Sequence, residues 1–185
     1  MMRGLRLAGA AICLAIAQAR AETPLAGCYE RIYDDAHLGA HRGQIVRRVK
    51  LEVKQASYAR SAPGDKTPII ADADLEIWVT AEKPRFAALG ACYREGEELI
   101  CNAALSAAET DVCGKKTDGV HDCRVDMNDA GSFRLAKRPD GLLLSVNARL
   151  ELSTHDDSGP WLYLSPGNVE NHAFLLKPAP ESACK

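Results

Sequence analysis

Two histidines four residues apart, His37 and His41, have the spacing of a pair of metal ligands. On a helical turn, residues at i and i+4 lie on one face, so both imidazoles would point towards the same ion. Asp34, three residues before His37, is the candidate third ligand. The alternative is that the histidines bond to backbone or carboxylate groups and fix this segment against the rest of the fold. The histidine pair is therefore either a metal site or a structural contact.

Cysteine is the second residue type in the chain that could do chemistry. Cys13 lies in an apolar N-terminal run, and the six that follow are the disulfide candidates: Cys28, Cys92, Cys101, Cys113, Cys123 and Cys184. An even number in an exported chain predicts up to three disulfides, formed in an oxidising compartment. Pairing is not fixed by the sequence, but a Cys28–Cys184 bond is favoured because it would tie the two ends of the domain together.

Catalytic signatures are missing from the chain. It has no Gly-x-Ser-x-Gly motif and no cysteine expected to be free. Asp126, Asn128 and Asp129 do not follow the alternate-position pattern of a calcium loop. We therefore predict no catalytic residue and no cofactor, and a hydrolase remains only a further alternative.

Residues 1–21 have the pattern of a secretory signal peptide. Arg3 and Arg6 precede an apolar run over 7–17, and Ala19-Arg20-Ala21 is a small-x-small cleavage site. No later stretch has transmembrane length. The expected mature chain of 164 residues carries 20 basic and 25 acidic residues. This mild acidity argues against nucleic acid or anionic lipid as a partner, and we expect a periplasmic or secreted protein.

An alternative N-terminus is suggested by Leu25-Ala26-Gly27-Cys28, which has the letters of a lipoprotein box. In that case Cys28 would be acylated and anchored to a membrane. However, Arg20, Glu22, Thr23 and Pro24 lie between the box and the apolar run, and acylation would leave five cysteines, one of them unpaired. The free, cleaved form is the preferred interpretation.

The clearest structural pattern spans Gly131 to Ser153. Apolar residues occupy every even position in its second half: Leu142, Leu144, Val146, Ala148, Leu150 and Leu152. This period of two predicts a half-buried β-strand. The turn residues Pro139-Asp140-Gly141 precede it, and a loop over 138–141 places Leu135 opposite Leu144.

Similar patterns predict strands elsewhere. Residues 45–54 and 74–80 alternate, with Trp78 on the polar face of the second strand. A hairpin turning at Gly96-Glu97 sets Cys92 opposite Cys101. A short helix capped by Asp34 or Asp35 should end at Gly39 or Gly43. The chain is thus predicted to be mainly β, a disulfide-stabilised antiparallel barrel or sandwich of about six to nine strands with one or two short helices. Residues 22–185 form one domain, with an inserted loop over 102–122.

Three segments resemble a family of small, uncharacterised exported bacterial proteins. They read C-Y-E-R-I-Y-D-D-A-H-L-G-A-H-R-G-Q (28–44), G-A-C-Y-R-E-G-E-E-L-I-C (90–101), and G-S-F-R-L with L-S-P-G-N-V-E-N-H-A-F-L-L (131–135 and 164–176). The family pattern opens with Cys-aromatic-x-Arg-x-Tyr-Asp-x-Ala-His-Leu-x-x-His. Here Arg42 stands where the family has Pro, and 102–122 looks inserted. The resemblance implies export and assigns no catalytic residue.

These observations favour a non-enzymatic binding or inhibitor-type domain. Its partner is expected to be a protein, including a foreign hydrolase, or a small apolar ligand. The candidate binding-surface residues are Tyr33, His37, His41 and Trp78, because exposed aromatic side chains often anchor partners. The alternative is the metal-binding function of His37 and His41.

Overall fold

The computed structural model describes residues 23, 25–56, 67–79, 85–104, 130–154 and 160–185. These ranges contain ten strands, one six-residue helix and a final 3-10 turn. The strands are β1 (Gly27–Ile32), β2 (Arg48–Gln55), β3 (Ala71–Trp78), β4 (Arg85–Glu95), β5 (Glu98–Ala104), β6 (Ser132–Arg138), β7 (Gly141–Val146), β8 (Leu150–Thr154), β9 (Leu162–Leu164) and β10 (Ala173–Ala179). The helix α1 spans Asp35–Ala40, and the 3-10 turn spans Glu181–Ala183.

Eight of the strands close into an antiparallel barrel. The order is β3-β2-β1-β10-β7-β6-β5-β4, and β4 pairs back with β3. The remaining two form a hairpin: β8 pairs with the first part of β4 at Phe86 and Ala87, and β9 pairs with β8. The prediction of a mainly β, antiparallel, disulfide-stabilised fold is confirmed, and the architecture is a barrel.

Apolar side chains fill the barrel interior. Alternate residues on each strand point inward, and they form one contiguous core in which exposure is at most a few per cent. The strands β2, β3, β6 and β7 contribute Val49, Leu51, Val53, Ala73, Leu75, Ile77, Phe133, Leu135, Leu142, Leu144 and Val146. Eight-stranded barrels are narrow enough for side chains to fill them.

Both predicted hairpin registers are confirmed. Leu135 lies opposite Leu144 across β6 and β7, and Cys92 lies opposite Cys101 across β4 and β5. This second register sets the like charges of Glu95 and Glu98 against each other. Arg134 on the neighbouring strand contacts both carboxylates, at 2.8 Å and 2.5 Å, which offsets their repulsion.

Three boundaries differ from the sequence-based expectation. The long strand predicted over 142–152 is interrupted at 147–149, where Ala148 is exposed, because the chain leaves β7 there and crosses towards β4 as β8. Strand β5 runs to Ala104, so the first three residues of the expected insertion belong to the barrel. Helix α1 continues past Gly39 to Ala40, with His41 as its C-cap.

The two ends of the barrel differ in their connections. At one end, called here the turn end, β4–β5 and β6–β7 are joined by two-residue turns at 96–97 and 139–140, and the connection 56–70 between β2 and β3 begins and ends there. At the other, called here the loop end, lie α1 with the connection 41–47, the β8–β9 hairpin and the connection 165–172. Binding residues concentrate on loops carried by a rigid scaffold, and most of the described residues outside the barrel strands lie at the loop end.

Two disulfides are formed among the described residues. Cys28 bonds to Cys184, which confirms the expected tie between the ends of the domain, and Cys92 bonds to Cys101 across β4 and β5. Cys113 and Cys123 lie outside the described residues. None of the helices within the described part of the chain is long and apolar enough to cross a membrane.

Candidate functional site

Helix α1 lies on the surface of the loop end. Asp34 caps it, with its Oδ1 accepting a hydrogen bond of 2.8 Å from the backbone N–H of His37. None of the helix residues is buried. Asp35, in the first turn, forms an ion pair with Arg47 from the connection to β2. The helix is therefore positioned by its cap and by polar contacts rather than by an apolar face.

Three aromatic rings extend in a row from the core to this surface. The ring of Tyr33 packs against the barrel core, and its centroid lies 4.7 Å from that of His37. The ring of His37 stacks on that of His41, with centroids 4.4 Å apart and an angle of 25° between the planes. The i, i+4 spacing that suggested a shared metal face has instead produced a ring stack.

Polar contacts fix the stack on both sides. Nε2 of His37 lies 2.9 Å from Oε1 of Gln44, whose own Nε2 donates to the backbone carbonyl of Val46 at 3.0 Å. On the far side, Nδ1 of His41 lies 3.9 Å from Oε1 of Glu170. Burial raises the pKa of the Tyr33 phenol, while the Arg31 guanidinium 4.9 Å from its ring favours the ionised form. The stack is thus part of a continuous polar network.

Asn171 is a positioning residue that sequence reasoning missed. Its side chain is fully buried and joins two connections of the loop end. Its Oδ1 accepts hydrogen bonds from the backbone N–H groups of Ile45 and Val46, at 2.9 Å and 3.2 Å, and its Nδ2 donates to the carbonyl of Gly43 at 2.8 Å. Only its place in the run Asn168-Val-Glu-Asn171-His was available as a signal, because its contacts are more than 120 residues away.

The exposed large apolar side chains of the described ranges all lie at the loop end. There are five, namely Ile32, Ile45, Trp161, Tyr163 and Val169. Ile32 ends β1, Ile45 and Val169 lie in the two connections joined by Asn171, and the two aromatic residues belong to the β9 segment. Val169 is 82 % exposed and Ile32 is 63 % exposed. Exposed apolar side chains at one end of a fold mark an interaction surface more often than the same side chains scattered over the whole molecule do.

Trp78 reaches the same end from the outer wall of the barrel. The backbone N–H of Arg47 donates to the carbonyl of Trp78, and that of Tyr33 donates to the carbonyl of Arg47, both at 2.8 Å. The indole ring is half-buried beneath Arg48, whose guanidinium carbon lies 4.5 Å from the ring centroid. The four residues named from the sequence as binding-surface candidates therefore all lie at the loop end. Trp78 is on the outer wall of the barrel, and Tyr33, His37 and His41 form the ring stack.

The geometry gives no support to a metal centre. Within the described ranges, no group of three His, Cys, Asp or Glu side chains is placed to hold a metal ion. The carboxylate of Asp34 is turned into the helix cap, and the rings of His37 and His41 face each other.

The sulfur of Cys28 is bonded to that of Cys184, so a thioether-linked lipid at Cys28 is chemically incompatible with this disulfide. The residues of the lipoprotein box before it also take part in the fold, since Tyr29 donates a hydrogen bond to the carbonyl of Leu25 at 3.1 Å. The structure therefore favours the unacylated form of Cys28.

Comparison of the chain with protein-family models, with curated proteins and with solved structures finds no match. Function is therefore inferred from the sequence and from the geometry of the loop end.

Proposed function

We propose that the protein is an exported, non-enzymatic binding protein whose loop end binds a protein partner. Its N-terminal 21 residues have the pattern of a signal peptide, and its disulfides are of the kind that form in oxidising compartments such as the periplasm. These two features support export.

The position of the exposed apolar side chains carries the binding proposal. All five that are exposed in the described ranges lie at the loop end, beside the partly exposed rings of His37 and His41. The barrel interior is occupied by the protein's own side chains, which disfavours a small apolar ligand inside the barrel. A macromolecular surface that covers the loop end is the partner that fits this distribution.

The joining of the connections 41–47 and 165–172 supports specific binding at the loop end. The buried Asn171 joins the connections 41–47 and 165–172, and the Cys28–Cys184 bond ties the chain ends at the opposite side. A surface that is already ordered loses little conformational entropy on association, so more of the contact energy appears as affinity. Inhibitor proteins also bind through surfaces that are ordered before association. We therefore propose a hydrolase foreign to the cell as the partner class.

The proposal is tested with purified proteases and peptidoglycan hydrolases. The oxidised mature protein should inhibit at least one of them, and the double variant Ile45→Ser, Val169→Ser should weaken that inhibition by about tenfold or more, as expected for loss of buried apolar anchors. Lys137→Ser, an exposed substitution near the turn end, is the control and should inhibit as the wild type does. Equal inhibition by both variants would rule out the loop end as the contact surface.

A further inference from the structure

Strand β9 is the last strand of the sheet, and one of its two sides is unpaired among the described residues. The sheet order ends in β4-β8-β9, so β9 bonds to β8 on one side and to no described strand on the other. The unpaired N–H and C=O groups of an edge strand are a template for another strand. We propose that this edge is a self-association surface, at which two copies of the chain pair their β9 strands antiparallel about a two-fold axis at Tyr163.

The register of the β8–β9 hairpin shows which backbone groups point outwards. Glu151 lies opposite Tyr163, and its N–H donates to the carbonyl of Ala130 at 2.8 Å, away from β9. Opposite residues of an antiparallel ladder either exchange both hydrogen bonds or exchange none. The Glu151–Tyr163 pair is of the second kind, so the N–H and C=O of Tyr163 point away from β8. Within the part of the chain that the structure describes, neither group has a hydrogen-bond partner.

The sequence around Tyr163 is nearly symmetric. Residues 160–166 read P-W-L-Y-L-S-P, with a leucine on each side of the tyrosine and a proline at each end. In a pairing centred on Tyr163, Leu162 of one copy faces Leu164 of the second copy. The prolines have no N–H and therefore end the ladder on both sides, which confines it to residues 161–165. A second copy thus matches this edge both in pattern and in length.

The side chains of β9 divide between the two faces of the sheet. Leu162 and Leu164 are buried in the core, while Trp161 and Tyr163 on the opposite face are 42 % and 49 % exposed. Directly opposed residues of an antiparallel pair have their side chains on the same face. The two tyrosine rings would therefore lie side by side, with Trp161 of each copy diagonal to Tyr163 of the other. Aromatic cross-strand pairs of this kind stabilise a sheet.

Charge does not oppose the approach of a second copy. Natural edge strands are commonly protected by charged side chains, and residues 160–166 contain none. Beside β9, Arg149 and Glu151 form an ion pair of 2.8 Å, and the guanidinium carbon of Arg149 lies 4.4 Å from the centre of the Tyr163 ring. These opposite charges offset each other next to the tyrosine.

The self-association goes beyond the proposed function and does not depend on it. Ile32, Ile45 and Val169, the other exposed apolar side chains of the loop end, belong to β1 and to the two connections rather than to this edge. A five-residue ladder is a small contact compared with stable interfaces, so we expect a weak dimer with a dissociation constant on the order of 100 µM.

The concentration dependence of the oxidised mature protein tests the pairing directly. Between about 10 µM and about 1 mM, a dissociation constant of this size lowers the monomer fraction from about 85 % to about 20 %. The weight-average mass in sedimentation equilibrium should then rise to about 1.8 times that of the monomer, and hydrogen exchange of the Tyr163 amide should slow by about fourfold. The Leu162 and Leu164 amides, which bond to β8, should exchange slowly at both concentrations.

Tyr163→Pro removes the outward N–H and leaves the bonds between β9 and β8 in place. Proline is tolerated on an edge strand where the N–H faces solvent, so the Leu162 and Leu164 amides should stay protected. The dissociation constant should rise by about tenfold or more, because two symmetric hydrogen bonds are lost. Lys137→Ser, near the turn end, is the control and should associate as the wild type does.

Charge variants keep the outcome decisive even if Tyr163→Pro folds poorly. Tyr163→Lys and Tyr163→Glu each place like charges opposite each other at the axis, so each alone should associate about threefold more weakly or worse. An equimolar mixture of the two should associate more strongly than either component. A wild type that stays monomeric, Tyr163 exchange that does not depend on concentration, or a mixture no more associated than its components would overturn the pairing. Since no hydrolase is present, that failure would leave the proposed function standing.

Discussion

Replacing Asn171 by Ala should destabilise the protein more than any other polar substitution at the loop end. The side chain is 0 % exposed and accepts two backbone hydrogen bonds, from Ile45 and Val46, while it donates one to Gly43. Val46 is itself fully buried, so its N–H would lose its only acceptor in a place that water does not reach. An unsatisfied buried donor costs about 1–3 kcal/mol, and each lost hydrogen bond adds roughly 1 kcal/mol. We therefore expect a loss of about 3 kcal/mol.

Urea unfolding of the oxidised mature protein measures this loss. The midpoint should fall with little change in the denaturant dependence, and the melting temperature should fall by about 6–12 °C for a domain of this size. Asn147→Ala is the matched control, since Asn147 is exposed and its side chain donates one hydrogen bond within the described ranges, at 3.3 Å to Ser132. It should cost less than about 1 kcal/mol. If Asn171→Ala were as stable as Asn147→Ala, the joining role of Asn171 would be refuted.

Three other expectations concern the barrel and its disulfides. Arg134→Ala should cost about 0.5–1 kcal/mol because it leaves two like charges opposed, and Glu98→Gln in the same chain should restore part of this loss in a double-mutant cycle. Burial raises the pKa of the Tyr33 phenol above that of the unfolded chain, so its contribution to stability is complete below about pH 10 and is lost as the pH rises; Tyr33→Phe should show a smaller alkaline loss in unfolding experiments. With the other four cysteines paired, Cys113 and Cys123 should form the third disulfide, and mass spectrometry of the denatured, alkylated mature chain should then find no free thiol.

Local patterns in the sequence predicted the parts of the fold that are made by neighbouring residues. The alternation after Gly141 and the two turn residues at 96–97 each fix a register, because a slip of one residue would send every apolar side chain to the wrong face. The Asp34 cap likewise predicted where α1 begins. Each of these signals acts over a dozen residues or fewer.

Contacts between distant parts of the chain were not predictable in the same way. Closure of the barrel depends on pairing β3 with β4 and β1 with β10, and β10 lies some 150 residues after β1. The role of Asn171 depends on backbone groups on the far side of the sequence. The interruption at 147–149 is set by where β8 must cross to reach β4, which the apolar period of two does not reveal.

Only some residues of the candidate site were predictable from the sequence, and their arrangement was not. Tyr33, His37 and His41 stood out by type and spacing, yet that spacing suits a metal site and a ring stack equally well. The choice between them depends on Gln44, from the connection that follows α1, and on Glu170, from the connection that leads into β10. Side chains brought in by tertiary packing decided the chemistry of the pair.

Photo-crosslinking from defined positions determines which end of the barrel contacts a hydrolase. A photoreactive amino acid is placed at Val169 on the loop end or at Lys137 near the turn end, and each mature protein is irradiated with the purified hydrolases. If the loop end is the binding surface, we expect covalent adducts with a hydrolase from position 169 and none from position 137. Adducts formed equally from both positions, or from position 137 alone, would contradict the assignment of the loop end as the binding surface.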